Sequence, residues 1–521
     1  MQAVFPLCVA FAPQPLTRTL TAPRLALRAA VAESEEVDFV VVGSGIGGLS
    51  CAGLLAASGY TVTALPRCQP PSTYIVACVV SSTAHLCLST VLVPPPAATS
   101  TSTTLLWQVA VLEQHYEIGG CCHEFNVNMA GKPIPSALLA KSPQPVFKFE
   151  AGPSLYSGLS AERSPNPLKH IYQMIGEEPE WINYDTWGAH LPEVPEGYEL
   201  SIGAENFMEI LRRYGGPTAA SDWNKLSEQL MPLTGGVTAL PSTAVRGDLG
   251  ILATLVGKYP VAFWDVIKNK DAILAPFDLE AYGVKDPFLK NYLDLIAFLL
   301  QGLPADGTLT AVTARMLIHS SPNPHPLLAQ PFTHPLPPLT HPYCPPQVMA
   351  FMVDEFYKPD AKMDFPRGGS GEIANALARG VTKHAGCSVR TSTNVDEIVV
   401  EQGRAAGVRL KGGRTLRARR AVVSNADLHA TFGMVPPGAH AGLDEERSKL
   451  LAPAAPIYSD DVGPGTGTGL PLCKSFMHLH LGVKADCMPD DLPPQWTVVN
   501  SWDVPIDSPG NVIVVSVRSE E

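Results

Sequence analysis

Charged residues are scarce in this sequence. Lys, Arg, Asp and Glu make up 17% of its 521 residues, against 45% hydrophobic. A chain this apolar is not globally disordered and can bury a large core. Its length suits two or three interleaved domains. The few charges lean acidic, with 37 basic against 49 acidic residues and a net charge of -12. That balance excludes nucleic acid or another polyanion as the main partner and favours a neutral, apolar one. CxxC pairs are also missing. The 11 cysteines follow no regular spacing, and the adjacent Cys121 and Cys122 cannot form a zinc knuckle. No metal site is expected, and the thiols read as reduced.

Acidic residues are absent from two stretches. From Met1 to Ala32 there is none, while Arg18, Arg24 and Arg28 are spread among Ala, Leu, Thr and Pro. An acid-free, Arg-bearing leader reads as an organelle transit peptide rather than a secretory signal, because no basic residue precedes the apolar run Phe5–Ala12. The second stretch lies between Gly48 and Glu113, and it bears on the main motif.

Asp38–Val42 (DFVVV) has the apolar run of a buried strand. GSGIGG follows at once, then LSCAGLLAASG in a helical pattern. Gly43, Gly45 and Gly48 fill the GxGxxG positions, with Ser44, Ile46 and Gly47 between them. The first glycine permits the turn, the second lets backbone approach a pyrophosphate, and the third lets helix and strand pack closely. The helix N-terminus offers N–H groups and a positive dipole end to phosphates. This predicts a Rossmann-type dinucleotide unit and an α/β fold.

Such a unit needs an acid about 20 residues on, at the end of its second strand, to hold the adenosine ribose. Around position 68 the sequence reads ALPRCQPPS instead. The next acid is Glu113, at the end of the strand-like VAVL (Val109–Leu112). With the 47 residues Val62–Gln108 set aside, Glu113 follows Gly48 by 18 positions. Residues 62–108 therefore read as an insertion, either translated non-coding sequence or a loop extruded from the unit. They hold Pro70–Pro71, Pro94–Pro96 and a Ser/Thr run. Tyr74–Val93 is uncharged and apolar, but His85, several hydroxyl residues and its place inside the nucleotide motif argue against a membrane hairpin.

A second insertion is expected over 318–347, where proline density permits neither helix nor central strand. His319, His325, His334 and His341 there have no scaffold and no carboxylate among them, so low-complexity sequence explains them. Residues 160–317 are mostly helical in pattern; the long apolar PFLKNYLDLIAFLLQGLP suits a hydrophobic pocket or plain core equally. From Asp364 a glycine turn feeds a helix, then alternating strands follow with turns at Gln402–Gly403 and Gly412–Gly413. The expected organisation is a leader (1–32), a dinucleotide domain (33–160, insertion 62–108), a mainly helical substrate domain (161–363, insertion 318–347), a return to the first domain (364–435), and more substrate domain (436–521). The last part stops at VIVVSVRSEE, directly after a strand.

DFVVVGSGIGGLSCAGLLAASG, VAVLEQHYEIGGCCHEF, FKFEAGPSLYSGL, FPRGGSGEIANALARGV and ARRAVVSNADLHATF occur in this order. Together they resemble the carotenoid isomerase and bacterial-type phytoene desaturase family, to which the retinol saturases are similar. The resemblance covers most of 37–435 outside the two insertions. It implies a Rossmann-type FAD-binding domain assembled from separated segments, an interleaved α+β substrate domain, an apolar polyene substrate and a plastid location. On the same resemblance Gly43, Ser44, Gly45, Ile46, Gly47 and Gly48 cradle the FAD diphosphate. Glu113, with Gln114 beside it, binds the adenosine ribose. Gly119 and Gly120 let backbone pass close to the flavin side, and Val395 offers backbone to adenine. Plain structural roles compete: a solvent-facing strand-end acid for Glu113, and core for Val395. NAD stays compatible, since ribose binding does not distinguish it from FAD. Members of the family continue past the last strand with a glycine-bearing segment that closes over the flavin. None is found here, so weak or absent FAD binding is an expectation for the chain as written.

An isomerase would turn a conjugated double bond from cis to trans with no net redox. A desaturase would pass a hydride from a saturated C–C bond to the flavin. In both the cofactor carries the hard chemistry. A flavin amine oxidase is the second class of reading, and an inactive chain carrying two foreign stretches and an early stop is the third. No side chain stands out as a general base. His115, His123 and Glu124 follow the ribose-binding strand as polar neighbours of the cofactor, with covalent flavin attachment an alternative for His123. Cys121 and Cys122 read as small packing residues, with redox activity the alternative. Peripheral membrane association is compatible with the apolar helices, and the oligomeric state is not legible.

Overall fold

In a computed structural model the described residues are 35–62, 103–141, most of 146–238, parts of 256–309, 361–451, 477–483 and 492–517. The leader 1–32, most of the first insertion and all of the second lie outside them.

The apolar run near position 40 becomes β1 (Glu35–Val42), and the GSGIGG turn leads into α1 (Ile46–Ala57). β4 (Val109–Leu112) pairs parallel with one edge of β1, and the strand Thr415–Ser424 pairs parallel with the other. Ser388–Arg390 adds parallel to β4, and the antiparallel strands Arg404–Leu410 and Val395–Glu401 complete a six-stranded sheet. Alternate side chains enter two cores. Val41, Val109 and Val111 join Leu49 and Ala52 of α1 and Ile373 and Leu377 of the helix Gly371–Thr382. Val40, Val42, Ala110 and Leu112 join Val395, Ile398 and Val408. Burial on both faces is why these strands read as continuous hydrophobic runs. At the predicted hairpin turn Gln402 and Gly403 both have positive φ, 52° and 74°, as a tight two-residue hairpin loop requires.

β2 (Gly59–Val62) pairs antiparallel with β3 (Thr103–Leu106). The first insertion leaves the domain from the end of this ribbon. It is narrower than 62–108. Gln108 belongs to the sheet, its carbonyl accepting from the Asp38 and Phe39 amides at 2.9 and 3.1 Å. The Trp107 ring meets Phe39 edge-on at 5.7 Å. Backbone beside a central strand has to be hydrogen-bonded, so these two residues stay with β4.

The second unit is built on a four-stranded sheet in the order Val194–Ser201, Thr186–Leu191, Gln495–Val499, Val512–Ser516. Helices Ala204–Tyr214, Ala219–Thr238 and Pro287–Gln301 accompany it. Within the mainly helical stretch expected over 161–363, Trp181–Ser201 forms three strands. Val194, Tyr198 and Leu200 point inward while Glu199 points out, the period of two that a half-buried strand imposes. Leu289, Leu293 and Ile296 of the long apolar helix are buried in this unit's core with Phe207 and Trp223, so core packing accounts for its apolar face. No helix among the described residues is long and apolar enough to cross a membrane.

Candidate functional site: the glycine turn and the face beside it

The turn sits at the C-terminal ends of the parallel strands, where open α/β sheets bind ligands. Gly43 has φ 93°, a conformation a side chain resists. Its amide donates to the Leu112 carbonyl at 2.8 Å, tying the turn to the end of β4. A Cβ on Gly48 would stand 2.2 Å from the Gly43 carbonyl oxygen, so helix and strand close on each other only with glycine there. α1 has no acid in its first turn and no side-chain cap. Its first N–H groups therefore lack intrahelical acceptors and leave a positive end open to an anion.

Glu113 is 8% exposed, so it is no solvent-facing strand-end acid. Its Oε2 accepts from the Ser44 amide at 2.9 Å and from the Ser44 hydroxyl at 2.7 Å; its Oε1 accepts from the His115 amide at 2.8 Å. A carboxylate offers about four acceptor positions, so one remains for a ligand hydroxyl. Gly119 and Gly120 complete the cradle. The Gly119 amide donates to the Ser44 carbonyl at 3.0 Å, and Gly45 and Gly119 form an isolated parallel bridge. The elements a nucleotide diphosphate and ribose require thus converge: glycine-lined backbone, an open helix N-terminus and a carboxylate.

The other sequence-selected residues divide. Ile46 and Gly47 lie half-buried in the first turn of α1, and Gln114 is exposed beyond the strand end. Val395 opens its strand with the side chain 8% exposed in the core. Its segment still runs past the site, because the Thr393 amide donates to the Glu113 carbonyl at 2.7 Å. Asn425 was not selected from sequence, yet it packs on the turn. Its amide donates to the Val42 carbonyl at 2.7 Å, and its Nδ2 would lie 2.9 Å from a Cβ on Gly45. The only sequence signal was its place after the apolar strand AVVS.

Beyond Gly120, β5 (Glu124–Asn128) pairs antiparallel with Val146–Glu150, setting Phe125 opposite Phe149 and Val127 opposite Phe147. His123, Phe125, Phe147 and Phe149 are half-buried. Glu124 points the other way and is ion-paired with Lys148 at 2.8 Å. Burial pushes the Glu124 carboxyl above its usual range, and Lys148 offsets only part of that. It is therefore a packing group beneath the sheet and not a neighbour of His123 on the outer face. The segment 477–483 lies across that outer face. The His480 ring meets Phe125 edge-on at 4.9 Å and Phe149 at 5.1 Å. Burial, with His478 beside it, lowers His480 below the usual imidazole value. Cys122 is 2% exposed, and burial pushes its thiol up to about 12. A thiol so held is unreactive, which favours the packing role. Among the described residues no cluster of side chains suits a metal ion.

Residues 347–440 match the family described as flavin containing amine oxidoreductase. Prolycopene isomerase, chloroplastic, from Daucus carota is 34% identical over 129 residues, 25% of this chain and 18% of that protein. Phytoene desaturase (neurosporene-forming) from Cereibacter sphaeroides is 52% identical over 65 residues, 12% of each protein. The chain resembles the carotenoid isomerases and phytoene desaturases. The match spans less than a fifth of the length of these relatives. Among solved structures, an oxidoreductase from Methanosarcina mazei aligns over 79% of this chain and 65% of its own length, with 15% identity and a TM-score of 0.39. The Rossmann-type assignment rests on this chain's own strand order, glycine turn and helix.

Proposed function

We propose that this chain is an FAD-dependent carotenoid cis–trans isomerase acting on an apolar conjugated polyene. One observation carries the cofactor part: the Glu113 carboxylate meets the glycine turn although 69 positions separate it from Ser44. In this reading Gly43–Gly48 and the N-terminus of α1 hold the diphosphate, Glu113 holds the adenosine ribose, and Gly119 and Gly120 admit the flavin portion. When bound, the reduced flavin would lend electron density to the polyene with no net redox; the chain orients the polyene and excludes water.

The substrate part is supported by the resemblance to prolycopene isomerases and by the half-buried π-rich face of His123, Phe125, Phe147 and Phe149. Apolar polyene binds there through area and ring contacts rather than charge, in keeping with a net charge of -12. The acid-free leader and the chloroplastic relatives support a plastid location; import of a fluorescent fusion carrying residues 1–32 tests it. A desaturase is the second reading, favoured by the local 52% identity to phytoene desaturase. Titration of the purified chain with FAD, followed by an absorption spectrum, tests the cofactor, with bands of bound oxidised flavin expected even at weak affinity. Reduced protein with prolycopene then tests the isomerase, and oxidised protein with phytoene and a quinone acceptor tests the desaturase. Product of unchanged mass supports the isomerase; loss of two hydrogens per turnover supports the desaturase.

A further inference from the structure

His123 joins the glycine turn to the aromatic face. It follows the Gly119–Gly120 pair, and its Nδ1 lies 2.7 Å from the Gly120 carbonyl oxygen. A carbonyl oxygen can only accept, so in the neutral ring Nδ1 carries the hydrogen and Nε2 carries the lone pair. Nε2 has no hydrogen-bond partner among the described residues. The ring is half-buried, with the His115 ring 4.9 Å away on one side and the Phe125 ring 6.5 Å away on the other. His115 is differently engaged: its Nδ1 lies 3.2 Å from the Glu117 amide nitrogen and 3.3 Å from the Glu117 carbonyl oxygen, so its backbone contacts select no single tautomer. Backbone thus holds His123 in one tautomer, with Nε2 open beside the cradle and at the start of the π-rich face.

We propose that His123 Nε2 is the atom through which this site exchanges a proton with its polyene, an inference that rests on the isomerase reading above. Protonated from solvent, Nε2–H gives its proton to a carbon of the conjugated chain. The N–H bond breaks with its pair left on nitrogen, and a C–H bond forms from a π pair. The resulting cation is delocalised, so the order of the neighbouring double bonds falls and the cis bond rotates. A C–H bond at the same carbon then breaks, its pair restores the π bond, and the proton returns to Nε2. No electrons leave the polyene, so no oxidant is consumed.

The test uses the full chain, purified with its flavin, and prolycopene as probe. In deuterium oxide the all-trans product of the wild type is expected to carry deuterium, because the imidazole N–H exchanges with solvent before each transfer. H123Q is expected to keep the flavin spectrum, lose about 10²- to 10⁴-fold in turnover, and leave its residual product unlabelled. A merely structural role lowers turnover without changing deuterium per product molecule. Independently of activity, two-bond ¹⁵N–¹H spectra of histidine-labelled protein, assigned by the signal missing in H123Q, are expected to show the Nδ1–H tautomer. Unlabelled product from the wild type, an Nε2–H tautomer, or H123Q turning over within threefold of wild type overturns the proposal. Absence of flavin bands in the wild type refutes the isomerase reading itself, and the proposal falls with it.

Discussion

Three hydrogen bonds converge on the Glu113 carboxylate, two of them from Ser44, 69 positions earlier in the chain. Removing the carboxylate takes the acceptor from the buried Ser44 hydroxyl and deletes the acceptor proposed for a ribose. Glu113→Ala is expected to weaken FAD binding about 10- to 100-fold, equivalent to about 1–3 kcal/mol for a charged hydrogen bond. Flavin-fluorescence titration of the apoprotein checks this, and equal affinity in the variant would remove Glu113 from the site. Asp38 is a contrasting acid at the other end of the sheet. Burial pushes its carboxyl up, but hydrogen bonds from Arg419 Nε at 2.9 Å and the Gln108 amide at 3.0 Å outweigh it and hold the group below its ordinary 3.8. A depressed folded value gives stability that is present above the ordinary value and lost as pH falls through the depressed one. Asp38→Asn is therefore expected to cost about 1–2 kcal/mol at pH 7, with the difference from wild type shrinking below pH 3. Urea unfolding at the two pH values measures it.

Strand, turn and helix at 35–57 were readable because each element carries a local signal: an apolar run, three spaced glycines, a helical pattern. The β2–β3 ribbon carries no such signal, since TVTALP continues without a break into the insertion. Its pairing nonetheless locates the insertion. Val62 stands opposite Thr103, and β4 begins on the far side of the sheet from the glycine turn. At roughly 3.3 Å per residue, the start of β4 at Val109 stands about 13 Å from Glu113, and the inserted stretch joins the chain six residues before that, at Thr103. Replacing residues 63–102 by Asn-Gly, a pair suited to a two-residue hairpin loop, is expected to leave flavin content unchanged. Loss of the flavin bands would falsify the view that this stretch is extraneous to the site. Within α1, Gly48→Val must push helix from strand, given the 2.2 Å approach to the Gly43 carbonyl. Such overpacking costs about 1–3 kcal/mol, and the variant should lose flavin even where circular dichroism shows it folded.

Across the whole molecule, three distant segments meet at Asp364, which is 1% exposed. It accepts from the Leu159 amide at 2.6 Å, the Ser160 amide at 3.2 Å, the Ser160 hydroxyl at 2.6 Å and Asn183 Nδ2 at 2.7 Å. It lies on Met363–Pro366, which pairs antiparallel with Tyr156–Ser157 and Trp181–Tyr184. This knot ties the return of the chain to the second unit. Asp364→Ala leaves four donors without their acceptor and is expected to lower stability by about 3–5 kcal/mol, read as a drop in the thermal midpoint. No motif announced Asp364, because its partners lie 181 to 205 positions away.

The sequence by itself determined the nucleotide unit: the glycine spacing, the apolar strands buried on both faces, and the single acid that restores the motif once an interruption is set aside. Those features are local or strictly spaced, so they are legible before folding. Only the tertiary structure decided where Asn425, Asp364 and His480 stand, that Trp181–Ser201 forms strands, and that His123 is held in one tautomer by Gly120. Each of these depends on what lies across a sheet or beneath a ring, and contact between residues distant in the chain leaves no periodic trace in either segment.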